Sequence, residues 1–210
     1  MVAYGRLESL QPDSLALNWT SDKPRAYADT TPVPIVDSMG LIYMTQWDGL
    51  YAISAMDGTV QWRNANGSGQ PVMTETGLIV ATCADNGQLC AFDRSGALVW
   101  QMQSSHALLG APVVDSNNVI HQVTGNGLYL RVSAAGYPES EASIPSITSF
   151  EYPLILPDGM IYLGFAGASI LAFNDAKGTV ESPWPAKYRD MTNRRNALAA
   201  PVGEVPSAPV

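Results

Sequence analysis

The chain has 210 residues, 46% hydrophobic and 14% charged, which is the composition of one medium globular domain with enough apolar mass for a core. Nineteen acids against eleven bases give a net charge of −8, which repels phosphate backbones and anionic lipid and argues against nucleic-acid or membrane-surface partners. No window approaches the eighteen apolar residues of a membrane span, and the first twenty residues hold Arg6, Glu8 and Asp13 without an apolar signal core, so neither membrane insertion nor a signal peptide is predicted.

Eighteen glycines and fifteen prolines, spread along the chain, predict many short strands and turns. "YGRLESL" (4–10) and "LALNW" (15–19) read as the third and fourth strands of a half blade over residues 1–24. Four segments then align on proline: "PIVDSMGLIYM" from Pro34, "PVMTETGLIVA" from Pro71, "PVVDSNNVIHQ" from Pro112 and "PLILPDGMIYL" from Pro153, spaced 37, 41 and 41 residues apart. Each has Gly or Asn at its seventh position and reads as a hairpin. A second turn follows at Asp48-Gly49, Asn86-Gly87, Asn126-Gly127 and Gly167-Ala168, then a third strand, "YAIS", "CAFD", "LRVS" or "LAFN". A third turn, with Gly58, Gly96, Gly136 or Gly178, leads to a fourth short strand. Four strands per forty or so residues predict an all-β fold, a β-propeller of four-stranded blades with full repeats over about 28–63, 64–102, 103–140 and 141–184. A parallel βαβ fold is disfavoured because no stretch keeps a helical period.

Tryptophan marks the ends of these units. In "AISAMDGTVQW" the small residue Ala52 stands ten positions before Trp62, with Asp57-Gly58 between them. "SLQPDSLALNW" ends at Trp19 with the same spacing, and "AFDRSGALVW" runs from Ala91 to Trp100 with one residue fewer. This pattern resembles the tryptophan-docking motif of quinoprotein-like propellers, the pyrroloquinoline-quinone-like repeat family that includes the outer-membrane assembly lipoprotein propeller. The resemblance runs over about residues 4–184 and implies a structural role for Trp19, Trp62 and Trp100, each lying against a small residue such as Ala52 or Ala91. It implies a bacterial, extracytoplasmic location. It also extends to "PWPAKYRDMTNRRN" (183–196), with Trp184, Pro185, Asp190 and Arg194 at the positions of a segment beside the closing blade, leaving 185–210 as that segment and a Pro/Ala-rich tail.

Cys83 and Cys90 flank Asp85-Asn86-Gly87. A two-residue turn at Asn86-Gly87 would set them opposite each other, so a disulfide is geometrically conceivable, with buried free thiols as the default. No spacing suits zinc, no nucleophile elbow occurs, and the vicinal cysteines found in many quinone enzymes are absent, so no catalytic residue, metal ligand or cofactor is predicted.

Four residues remain as candidate binding groups. Trp47 and Asp48, in the turn "TQWDG", suit a contact with a partner or sugar, or else cover a blade edge. His121 and Arg131 replace the Tyr or Val and the Ala of the other repeats, in a blade whose docking tryptophan is missing. Two cation-capable groups on facing strands suit an anionic ligand. In the blander alternative, Arg131 pairs with a nearby acid and His121 is a neutral, hydrogen-bonded strand residue.

The leading functional reading is a noncatalytic binding or scaffolding propeller. Its partner is a protein, or a further propeller segment that completes the open N-terminal half blade. The rival is a quinone-dependent or carbohydrate-active enzyme domain.

Overall fold

The structure is a computed structural model, and it describes residues 7–21, 33–83, 87–144, 153–156, 158–165 and 169–175. Within these residues every regular element is a strand, and the strands follow the proline-led repeats. A two-stranded sheet comes first, β1 (Glu8–Leu10) with β2 (Leu17–Thr20). Three antiparallel four-stranded sheets follow. The first is β3 (Ile35–Val36), β4 (Leu41–Gln46), β5 (Gly49–Ser54) and β6 (Val60–Asn64). The second is β7 (Gly67–Met73), β8 (Ile79–Cys83), β9 (Gln88–Phe92) and β10 (Leu98–Gln103). The third is β11 (Leu108–Val114), β12 (Ile120–Thr124), β13 (Leu128–Val132) and β14 (Pro138–Ser143). A last sheet pairs β15 (Leu154–Ile155), β16 (Met160–Phe165) and β17 (Ser169–Asn174). The predicted fourth strand of that blade, the Gly167-Ala168 turn, the closing segment and the tail lie outside the described residues.

Each sheet pairs its strands in sequence order, so each is a meander and the sheets are blades. The central strands are apolar on both faces because a blade has a neighbour on either side: β8 and β12 are buried at all five positions. The core accordingly lies in the seams between blades. Tyr43, Leu50 and Ala52 of the first full blade pack with Met73, Ile79 and Phe92 of the second. Val72, Leu89 and Ala91 pack with Val114, Ile120 and Leu130 of the third, and Val123 and Tyr129 with Ile161 and Leu163 of the fourth. The opposite face of the first full blade, Ile42, Met44, Tyr51 and Ile53, takes Leu7 and Trp19 from the two-stranded sheet.

The seventh residue of every proline-led hairpin has a left-handed backbone, with φ of 83° at Gly40, 84° at Gly77, 61° at Asn118 and 86° at Gly159. That is why glycine or asparagine recurs there.

Two local expectations are corrected. Gln46 pairs with Gly49, so the turn between β4 and β5 is Trp47-Asp48 rather than Asp48-Gly49. Gly49 belongs to the strand, where a Cβ would strike the Asn64 carbonyl. The default of free thiols also fails, because Cys83 and Cys90 form a disulfide with their Cα atoms 5.5 Å apart. They are not opposite: Cys90 faces Ala81, and Cys83 lies diagonally on the same face of the hairpin. The register differs from that of an Asn-Gly turn, yet the diagonal offset still brings the side chains within bridging distance.

Candidate functional site

Three arrangements carry the chemistry-bearing side chains: aromatic docks between blades, buried polar groups in two of the seams, and the exposed turn at Trp47.

Trp62 stands across from Ala52 and Trp100 across from Ala91, so each indole crosses a residue too small to block it. Each then reaches the following blade. Trp19 Nε1 donates to the Ala55 carbonyl at 3.1 Å, Trp62 Nε1 to Arg94 at 2.7 Å and Trp100 Nε1 to Ala134 at 2.9 Å. The indole faces rest on glycines of that blade. A Cβ on Gly58 would lie 2.5 Å from the Trp19 ring, and one on Gly96 or Gly136 would lie 2.6 Å from Trp62 or Trp100. The glycine inside each sequence motif therefore receives the tryptophan of the preceding motif, not its own.

A buried carboxylate sits at the fourth position of the first and third proline-led repeats. Asp37 accepts the Met39 and Leu41 amides at 2.9 Å and the Tyr43 hydroxyl at 3.1 Å, and it lies 3.3 Å from Arg94 Nε of the next blade. Burial, and then the Asp37 charge, push the Tyr43 phenol far above its ordinary range, so it stays a donor. Asp115 accepts the Asn117 and Val119 amides, both at 2.9 Å, and its Oδ2 lies 3.4 Å from His121 Nε2, with both side chains fully buried. Sequence reasoning missed both carboxylates. Their signal was the aspartate shared by "PIVD" and "PVVD".

The structure brings His121 and Arg131 together as cross-strand partners on β12 and β13. His121 Nδ1 shares a 2.5 Å hydrogen bond with the Tyr129 hydroxyl, and the two rings stack. Burial, followed by the Asp175 charge, raises the Tyr129 phenol far above its usual value. Arg131 extends toward two acids, with Nη1 3.3 Å from Asp175 of the next blade and Nη2 3.4 Å from Glu139. Asp175 follows "LAFN" as Arg94 follows "CAFD" in the repeat, so the charge that crosses the seam has changed sign and side.

Trp47 and Asp48 are adjacent but face different surroundings. Trp47 is 76% exposed. Asp48 Oδ2 accepts the Tyr51 hydroxyl at 2.8 Å and lies 3.2 Å from Arg63 Nε, while its carbonyl accepts from the same guanidinium. Burial and this carboxylate push the Tyr51 phenol up to about 12. The aspartate thus fixes the turn that presents the tryptophan. Among the described residues no three His, Cys, Asp or Glu side chains gather so as to hold a metal ion, and no helix is long and apolar enough to cross a membrane.

The family profile of the outer membrane protein assembly factor BamB matches residues 4–151. No curated protein sequence matches. Among solved structures, BamB from Moraxella catarrhalis is similar with a TM-score of 0.58 at 14% identity, over 82% of this chain and 54% of that one. Virginiamycin B lyase from Staphylococcus aureus gives 0.55 at 12% identity, over 80% and 62%. The WD40 β-propeller domain of Doa1 gives 0.61 at 12%, over 78% and 56%. At these identities the likeness is one of fold. The chain spans less than two thirds of the length of each of these structures.

Proposed function

The chain belongs to the family of the outer membrane protein assembly factor BamB, and on that premise we propose that it is a noncatalytic scaffold that binds proteins through its turns and blade edges. The observation that carries this reading is Trp47, a large aromatic side chain 76% exposed on a turn pinned by Asp48, Tyr51 and Arg63. An aromatic group that adds nothing to the core and is held on a rigid support has the character of an interface anchor. His121 and Arg131, turned toward the fourth blade and engaged with Tyr129, Asp115, Asp175 and Glu139, belong in this reading to the seam rather than to a ligand site.

The same reading places the chain outside the cytoplasm. The Cys83–Cys90 disulfide supports this, because such bonds persist in oxidising compartments. It also takes the sheet β1-β2, which has two strands among the described residues where each of the next three sheets has four, as half a blade completed by a further propeller segment or by a partner. Light scattering on the chain expressed alone should then show self-association, and a strictly monomeric, cooperatively unfolding protein would remove that part of the proposal.

The test is photo-cross-linking in the native host from an unnatural amino acid at position 47, with the exposed Val99 position as control. Discrete adducts at 47 and none at 99 are expected. Background labelling at both, together with stoichiometric cofactor absorbance after incubation with quinone and calcium, would replace the scaffold with the enzyme reading.

A further inference from the structure

The first full blade departs from the later ones at turn positions whose geometry asks for nothing apolar. Met39 occupies the sixth place of its proline-led repeat, where the others have Thr76, Asn117 and Asp158. Met56 precedes Asp57-Gly58 in the turn after β5, where the later blades have Ser95 and Ala135. The left-handed glycine recurs, with φ of 76°, 84° and 84° at Gly58, Gly96 and Gly136, but the turn after β5 is one residue longer: the Gly58 amide donates to Ser54, whereas that of Gly96 donates to Asp93 and that of Gly136 to Ser133. Thr, Asn and Asp satisfy the turn that bears Met39, and Met56 stands in a turn lengthened by one residue; the exposed side chain of each adds nothing to the core. Both lie in water, Met39 71% and Met56 85% exposed, as does Leu15 at 71% in the turn between β1 and β2.

The turns of Met39 and Met56 are tied together, and β2, which follows the Leu15 turn, is tied to them through Trp19. The Ala55 amide donates to the Gly40 carbonyl at 2.9 Å, the Trp19 indole donates to the Ala55 carbonyl at 3.1 Å, and its ring lies on Gly58. Exposed acids, Asp13 and Asp57, stand on the same turns. The Asp57 carboxyl is held below its ordinary range by the Thr59 amide and hydroxyl. Described residues 7–21 and 33–62 contain no Lys or Arg.

We propose that the turns bearing Leu15, Met39 and Met56 form a docking surface for an amphipathic segment of a partner protein, whose aliphatic anchors are flanked by Lys or Arg. Unbranched thioether side chains repack around varied aliphatic shapes, which suits such a segment. The exposed acids, Asp13 and Asp57, favour cations and steer them in. A second copy of this chain, itself at −8, is the wrong charge. The inference rests on the scaffold reading and names a surface apart from Trp47.

The probe is a synthetic amphipathic leucine–lysine peptide, titrated into the full chain carrying 13C-methyl methionine. Saturable shifts are expected at the Met39 and Met56 methyls and not at the buried Met102. The double variant Met39→Thr/Met56→Ser, built from residues of the other repeats, should keep its melting temperature and bind at least about tenfold more weakly. A leucine–glutamate peptide of the same pattern should not bind. Absence of binding, unchanged binding by the double variant, or equal binding of the glutamate peptide overturns the proposal. So does a concentration-dependent dimer that the double variant abolishes, which would assign the surface to a second copy. If the peptide fails while position 47 still cross-links, the docking surface falls and the scaffold stands; if both fail, the scaffold falls as well.

Discussion

The seam between the first and second full blades and the seam between the third and fourth share a backbone frame, yet different chemistry closes them. In the first, Trp62 crosses over Ala52 to the Arg94 carbonyl, and Arg94 brings a cation to the buried Asp37. In the second, Arg131 stands in place of the alanine, Ser140 takes the tryptophan's register, and the residue across the seam is the acid Asp175. Asp115 keeps the place of Asp37 but meets His121. A repeat can therefore exchange an aromatic dock for an ion pair, provided that the small residue, the tryptophan and the charge across the seam change together. The buried carboxylate that organises the hairpin turn stays.

The largest effect should come from that carboxylate. Asp115→Ala strands the Asn117 and Val119 amides and removes the carboxylate facing the buried His121, and should cost about 3–5 kcal/mol in urea unfolding. Asp37→Ala should cost measurably less, because its partner Arg94 has a side chain 40% exposed and can turn to water. Equal losses would show that the partner's access to solvent is irrelevant. Next come the glycines. Gly96→Ala adds a methyl group against the Trp62 ring at a φ of 84°, and should cost about 2–4 kcal/mol. Gly40→Ala, with a φ of 83° and no atom within 4 Å of the new methyl, should cost only the backbone share of about 1–2 kcal/mol. If the two match, the dock has no packing tension.

Arg131→Ala restores the small residue of the other repeats and removes two partly exposed ion pairs, so a loss of only about 0.5–1 kcal/mol is expected. The smallest effect is on pH dependence. Hydrogen bonds to Thr59 and to Ser95 hold the Asp57 and Asp93 carboxyls below their ordinary range in the folded chain. Their contribution is therefore present above the unfolded value of about 4 and is lost as pH falls through the folded ones. The variant Asp57→Ala/Asp93→Ala should flatten the acid limb of melting temperature against pH, and an unchanged limb would remove these turns from the acid response.

Much of the fold was legible because the repeat prints its own alignment. Proline starts each hairpin, and a left-handed Gly or Asn turns it at a fixed distance. The site was less so. The sequence placed Trp62 with Ala52 and Gly58, which lie near it in the chain, but the indole rests on Gly96, and spacing within one motif does not reveal a contact between blades. The disulfide was obscured by register: a two-residue shift in pairing sets Ala81 opposite Cys90 and leaves Cys83 diagonal to it on the same face. Asp37 and Asp115 read as ordinary turn aspartates, because their burial comes from the neighbouring blade. Met39 and Met56 look unremarkable in a chain with eight methionines until they are compared, position by position, with Thr76, Asn117 and Ser95.

If the docked tryptophans hold the fold while exposed Trp47, as proposed, serves a partner, paired urea unfolding of Trp62→Ala and Trp47→Ala separates the two roles. Trp62 is only half-buried, so about 3 kcal/mol is predicted for its loss, the lower end of the range for aromatic truncation. Trp47→Ala should stay within about 0.5 kcal/mol of the parent. A loss at Trp47 equal to or larger than that at Trp62 would contradict the account and exchange the roles of the two residues.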